Sequence, residues 1–527
     1  MKRLFTLLLA LVMLLTAQAF AVEEYAFPLT EEPITLTAFH TQRSQISDPA
    51  TNSMLLDYEA KTGVHIELIT STDQSTDLNL MMASGEHADL YLVNLSSAQV
   101  TNMVNADMII PLNDLIDQYG FYTQQIFEER PDFKELLTAP DGNIYTLFET
   151  DCGVHMPNRR KMYVYGEWLK AWQEATGKEY PANVQEFEDM LVFFRDGDMN
   201  GNGEADEIPL IASTHSEDVP TYWLMSAFTQ ISNNFFHITD DGEIVFEAMS
   251  DEWKEGLKWM NHLYNEGLFY AEESYVQDRD QLKAIVNTGD PSTHVVAASP
   301  SMWQGRFTDT SVMNYTDWLP IPPIADANGV ARATITQPET FRLSAAISTQ
   351  CEHPEIAFKW LDWWLSEEGT FVNVYGFREG ENYEIVDIPA INGAAQSVKV
   401  LQDFYTDNFR IGENMAPKYD TPEVRYAVSA DPSTYNTNNT FVLHQAGVMY
   451  EPYYVASNIP AVVWTDDETL MSEFAEYQTL INDTVNVATT EFILGIRDIE
   501  ADWDAYIEEL NAVGLEYYLD LLAQYYA

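Results

Sequence analysis

Positive charge is scarce in this chain: 26 lysines and arginines stand against 83 aspartates and glutamates in 527 residues, a formal charge of −57. A field of that sign repels polyanions and favours a soluble monomer, so nucleic acid is not expected as a partner and anionic membrane surfaces are poor candidates. A polyuronate ligand is disfavoured too, unless a locally basic cleft overrides the global field. Cysteine is nearly absent; Cys152 and Cys351 cannot build a disulfide scaffold, which leaves one bridge or two buried thiols. The ten histidines are scattered without metal-ligand spacing, so zinc and redox-metal sites are not expected. No phosphate-cradling glycine loop, dinucleotide fingerprint or Gly-x-Ser-x-Gly elbow occurs. Beyond residue 16 no apolar run approaches the roughly 20 residues that span a bilayer.

The N-terminus has the order of a secretory signal. Lys2-Arg3 precedes an apolar stretch from Leu4 to Thr16, and Ala19-Phe20-Ala21 supplies a small-x-small cleavage site. This predicts a mature chain from about Val22 in an extracytoplasmic space. Residues 17 to 25 contain no cysteine for lipid modification, so a freely secreted or periplasmic form is expected. Hydrophobic content of 46% with 13% aromatics supports large cores and two or three domains.

The order of elements points to an α/β fold. Ile34–Phe39, Val64–Ile69 and Asp89–Val93 have strand character, separated by helical stretches at about Asp48–Lys61 and Asp77–Ala83. Strand, helix, strand, helix, strand predicts parallel βαβ units, with ligands at the carboxyl ends of the strands near His40–Arg43 and Asn94–Ser97. The middle is helix-rich: Trp168–Trp172, Val184–Phe194 and an amphipathic Glu252–Glu266. His294–Ala298 and Phe341–Ile347 follow as strands, with an exposed-looking Ser299–Gly305 between them. In the helix Pro354–Glu367, Trp360, Leu361, Trp364 and Leu365 form a stripe for core packing.

Two features carry chemistry. The first is Asp198-Met-Asn-Gly-Asn-Gly-Glu-Ala-Asp-Glu207, an oxygen-rich run in which Gly201 and Gly203 relax the backbone. Calcium takes six to eight oxygens from carboxylates, amides and carbonyls on such a turn, so a structural calcium ion is the expectation; a solvated polar turn is the plainer alternative. One register starts at Asp196 and uses Asp198, Asn200, Gly201 and Glu207. The other uses Asp198, Asn200, Asn202, the Glu204 carbonyl, Asp206 and Glu207. The second feature is a set of loop-like aromatics, Tyr222-Trp223, Trp303, Tyr453-Tyr454 and Trp464. Aromatic faces stack on sugar C–H surfaces, while each could equally pack in a core. A general acid/base pair could hide among so many carboxylates, but nothing singles one out.

These pieces resemble the family 1 extracellular solute-binding proteins of carbohydrate ABC importers, in the long branch of alginate and other oligosaccharide binders. The residues carrying the resemblance include Tyr58–Leu68, Ala88–Leu92, Ile110–Ile116, Asp141–Tyr145, the run Asp198–Leu210, Leu263–Leu268 and Pro354–Leu361. The block Phe492-Ile-Leu-Gly-Ile-Arg-Asp-Ile-Glu-Ala-Asp-Trp-Asp-Ala-Tyr506 completes the set. The resemblance implies a two-lobe periplasmic-binding-protein fold of type II, with mixed sheets flanked by helices and hinged by crossing strands. Its segments would be a signal 1–21, an N-lobe from 22–150 and 337–381, and a C-lobe from 151–336 and 382–527. Closure of the lobes would hold an oligosaccharide for an ABC permease without catalysis. The resemblance favours the second calcium register, with Asp198, Asn200, Asn202, Glu204, Asp206 and Glu207 as ligands. It places Asp151 and Trp303 at the cleft by similarity of position, and Arg306, Tyr222, Trp223 and Arg43 join them as candidates for hydrogen bonding and stacking. A secreted glycoside hydrolase and a surface carbohydrate adhesin or sensor partner are the competing readings.

Overall fold

The computed structural model describes residues 22–42, 46, 48–309, 311–337, 339–402, 408–410, 416–431, 439–465 and 467–526. The predicted signal segment and Arg43 lie outside them. The chain divides into two compact units. Among the described residues, unit 1 lies within 22–149, 342–383 and 401–419, and unit 2 within 150–341, 384–400 and 420–526.

Unit 1 is built on a five-stranded sheet in the order Val64–Ser71, Ile34–Thr41, Leu90–Leu95, Thr340–Ile347, Leu147–Asp151. The first three strands are parallel, as their connecting helices Ser53–Thr62 and Gln74–Ser84 require. Asn52 caps the first helix by accepting from the Leu55 N–H, and Gly63 ends it in the left-handed region at φ 75°. Thr340–Ile347 runs antiparallel to Leu90–Leu95, with a bulge between Ser344 and Ala346. The predicted Trp360, Leu361, Trp364 and Leu365 stripe is buried. Pro354–Glu367 is not one helix, however: it ends at Asp362, passes through a tight turn, and restarts after Ser366, whose hydroxyl caps Glu367–Tyr375. Asp362 is buried where this helix meets residues 122–123, accepting from the N–H groups of Tyr122 at 3.1 Å and Thr123 at 2.9 Å.

Unit 2 has a four-stranded sheet in the order Trp318–Ile321, Lys161–Tyr165, Val296–Ser301, Ile208–Leu210. Two differences from the sequence reading matter. Ser299 and Ser301 belong to a buried strand, not to an exposed loop, because Lys161–Tyr165 pairs with them. Tyr222-Trp223 sits in a short helix, Pro220–Met225, with Pro220 in its first turn. The predicted helices over 184–194 and 252–266 are present as Val184–Asp196 and Asp251–Asn265. The C-terminal block supplies core: Phe492, Trp503 and Tyr506 are buried, and the Tyr506 hydroxyl donates to the Ala248 carbonyl at 2.9 Å. No disulfide joins Cys152 in unit 2 to Cys351 in unit 1, and burial pushes the Cys351 thiol up to about 11.

Candidate ligand site and candidate calcium loop

Unit 2 holds a cavity of about 360 Å³ lined by segments 156–160, 216–217, 231–233, 336–337 and 339–341, with Thr334 and Ala461. Its chemistry comes first from Asn158-Arg159-Arg160. This segment leads into the strand Lys161–Tyr165, so it is tethered on one side by a ladder. On the other side Asn158 bonds across the cavity wall, donating to the Thr334 carbonyl at 3.0 Å and accepting from the Arg160 N–H at 3.1 Å. Lys161 lies beneath it, with 0% of its surface exposed, and donates to the carbonyls of His155 at 3.2 Å and of Asn158. Removal from water drives the Lys161 ammonium down to about 7, and the nearby Arg159 adds to the fall.

The guanidinium groups face different partners. Arg160 lies 3.7 Å over the Tyr222 ring and donates to Asn233. Arg159 Nη1 donates to Glu217 Oε1 at 3.3 Å. Glu217 Oε2 stands 3.1 Å from Arg306 Nη2 and 3.6 Å from Arg279 Nη2. Arg279 Nε donates to buried Asp218 at 2.6 Å. Asp218 also accepts from Ser213 at 3.0 Å and Ser301 at 2.7 Å. His215 receives an N–H from Arg279, and burial, then that charge, lowers its pKa. The cavity therefore offers planar, fixed N–H donors and amides beside apolar surface from Met156, Ile231 and Phe341.

Of the residues expected from sequence, Arg306 reaches this cluster through Glu217, and Tyr222 through Arg160. Trp223 is 2% exposed in the core, its indole N–H donating to the Tyr450 hydroxyl at 2.8 Å. Trp303 is half-buried, edge-on to Tyr315 at 5.1 Å between ring centroids, and packed by Phe441 and Val442. Its ring lies over Gly305, where an added Cβ would come within 2.2 Å of it. Asp151 is buried, accepts from the Gly153 N–H at 2.9 Å, and has Arg425 at 3.8 Å. Neither Trp303 nor Asp151 lines the cavity. His40 is buried with its ring nitrogens near Thr41 and Thr70. Sequence reasoning missed Arg159, Arg160 and Glu217. The available signal was Arg159-Arg160-Lys161, a run of three cations in so acidic a chain.

The oxygen-rich loop connects the helix Val184–Asp196 to the strand Ile208–Leu210. Gly201 and Gly203 take φ of 72° and 82°. Carboxylate and amide oxygens turn inward onto main-chain N–H groups: Asp198 to Gly203 at 3.1 Å, Asn200 to Asn202 at 3.0 Å and Asn202 to Glu204 at 2.6 Å. The amides of Asn200 and Asn202 donate to Asp206. Glu207 is buried; Oε1 accepts from the Met199 N–H at 2.8 Å, and Oε2 is buried without a hydrogen-bond partner. An orphaned buried carboxylate oxygen beside this turn is what a bound cation would satisfy, so the residues fit calcium. Among the described residues no group of three or more His, Cys, Asp or Glu converges for a metal, so an ion here must also draw on amide and carbonyl oxygens. Asp196, the start of the other register, pairs with Arg195 at 2.7 Å, and that bond lowers its pKa.

The comparisons with known proteins are consistent across the chain. The fructooligosaccharide ABC transporter substrate-binding protein FusA of Streptococcus pneumoniae serotype 4 is 28% identical, over 96% of this chain and 92% of its own. The structure of FusA in complex with kestose superposes with a TM-score of 0.72 at 25% identity, covering 93% of this chain and 98% of that one. An HMO-binding ABC-transporter-associated solute-binding protein from Bifidobacterium longum infantis shares the fold at a TM-score of 0.77 and 21% identity, over 94% of this chain and 99% of its own. No helix among the described residues is long and apolar enough to cross a membrane. The family model for bacterial extracellular solute-binding proteins matches residues 53–380, well over half the chain, and the chain belongs to that family.

Proposed function

We propose that this protein binds a neutral oligosaccharide outside the cytoplasm and delivers it, unaltered, to the permease of an ABC transporter. The observation carrying the reading is the cavity at Asn158-Arg159-Arg160, where planar donors are held rigid beside apolar surface. Sugar hydroxyls take hydrogen bonds from such groups and sugar C–H faces lie on the apolar ones. The similarity to FusA, which binds fructooligosaccharides, supports the ligand class. Delivery requires a state that differs with and without sugar, and a ligand shifts that equilibrium only by its differential affinity for the two states. Calcium in the 198–207 loop plays a structural part, with Glu207 as its buried ligand. The chain is secreted by its N-terminal signal and acts as a monomer. Tyr222, stacked on Arg160, and Arg306, paired with Glu217, support the site through the arginine cluster.

Thermal melts of the mature protein against neutral and acidic oligosaccharides, with calcium or chelator, test this. A ligand at a hundred times its Kd adds about 2.7 kcal/mol to the native state. One class of neutral sugar raising the midpoint, with the sugar recovered intact, is the expected result. A flat response across the panel refutes the reading.

A further inference from the structure

Glu217 occupies a place that a ligand's carboxylate could otherwise take. Its two oxygens are divided among three guanidinium groups: Arg159 at 3.3 Å on Oε1, with Arg306 at 3.1 Å and Arg279 at 3.6 Å on Oε2. The arginines arrive from the loop before Lys161–Tyr165, the start of the helix Arg279–Val286 and the turn Gln304–Arg306. Glu217 and Arg159 line the cavity; Arg279 and Arg306 meet the carboxylate from outside that lining. Arg279 is also anchored by buried Asp218, so it is held in position independently of Glu217. Arginine forks match carboxylates in shape and charge. A chain of charge −57 has here a local basic exception, and the protein fills it with its own anion.

Resting on the sugar-binding reading, we infer that Glu217 is the specificity-determining residue of this cavity. Its carboxylate offsets part of the charge of the arginine cluster, leaving Arg159 donors for the hydroxyls of neutral oligosaccharides and disfavouring sugars that carry a carboxylate. Rejection works by juxtaposing like charges, a cost that steeply suppresses the wrong partner. Replacing Glu217 by an uncharged isostere leaves Arg159 and Arg306 without their shared carboxylate, and the acidic sugar becomes the better match.

The test is titration of the mature protein and its E217Q variant with kestose and with trigalacturonate, at low and high salt. The native protein should bind kestose in preference to trigalacturonate. In E217Q the ratio of the two affinities should move toward trigalacturonate by at least about tenfold, and the gain should fade in high salt. Adding R306Q to E217Q, which removes one cation again, should return the ratio most of the way. Native protein that binds trigalacturonate as well as kestose overturns the inference without any variant. So does an E217Q that melts like native and keeps the native ratio. If neither native nor E217Q binds any oligosaccharide of either class, the sugar reading itself fails and takes this inference with it.

Discussion

Replacing Lys161 by methionine probes the support beneath the cavity. The ammonium is wholly buried, and its contacts are the carbonyls of His155 and Asn158 and, at 5.5 Å, the ring of Tyr450. Desolvation brings its pKa from the ordinary 10.5 to about 7. The folded protein thus releases this proton near pH 7, while the unfolded chain keeps it until pH 10.5. Between those values the unfolded state binds more protons, so stability rises with pH. At about 1.4 kcal/mol for each tenfold change in proton affinity, the rise is roughly 4–5 kcal/mol in all. Lys161→Met removes that dependence and also leaves two carbonyls without their donor. Denaturant melts of both proteins at pH 6.5, 8 and 9.5 read the effect. The stability difference, native minus variant, should grow by a few kcal/mol across the series, and the variant should bind sugar more weakly because the 156–160 segment loses its tether. A difference that stays constant with pH would refute the reasoning.

Three further outcomes follow from other residues. Asp362 is raised to about 6, chiefly by burial and against the bonds from Thr123 and Tyr122, so its contribution to stability is full below pH 3.8 and lost as pH rises through about 6; in melts from pH 4 to 7, D362N should remove a decline of about 3 kcal/mol, and parallel curves would contradict this. Gly305→Ala should displace the Trp303 ring, quench or shift its fluorescence and cost about 1–3 kcal/mol by overpacking; an unchanged spectrum would count against the packing. Calcium should raise the melting midpoint of the native protein, and Glu207→Gln should abolish most of that rise, whereas equal responses would leave the loop a polar turn.

Much of the fold could be read from local pattern. The strands at 34, 64 and 90, the stop at Gly63 and the core stripe of Trp360, Leu361, Trp364 and Leu365 all follow from periodicity and capping within a few residues. The arginine cluster could not be read that way, because Arg159 and Glu217 are 58 residues apart and Arg306 joins them from a third segment. Their meeting depends on the sheet that pairs Lys161–Tyr165 with Val296–Ser301. The same pairing buries Ser299 and Ser301, whose Ser-Pro-Ser composition resembles a loop. Tyr222-Trp223 reads as loop-like in sequence; Pro220 instead begins a helix that turns the Trp223 indole into the core.

The most direct test of the central claim is isothermal titration of the native protein and Arg159→Gln with the neutral oligosaccharide that most raises the melting midpoint. The account predicts saturable one-site binding by the native protein, intact sugar afterwards, and at least about a tenfold loss of affinity in the variant. Native-like binding by Arg159→Gln, or sugar cleaved during the titration, would contradict it.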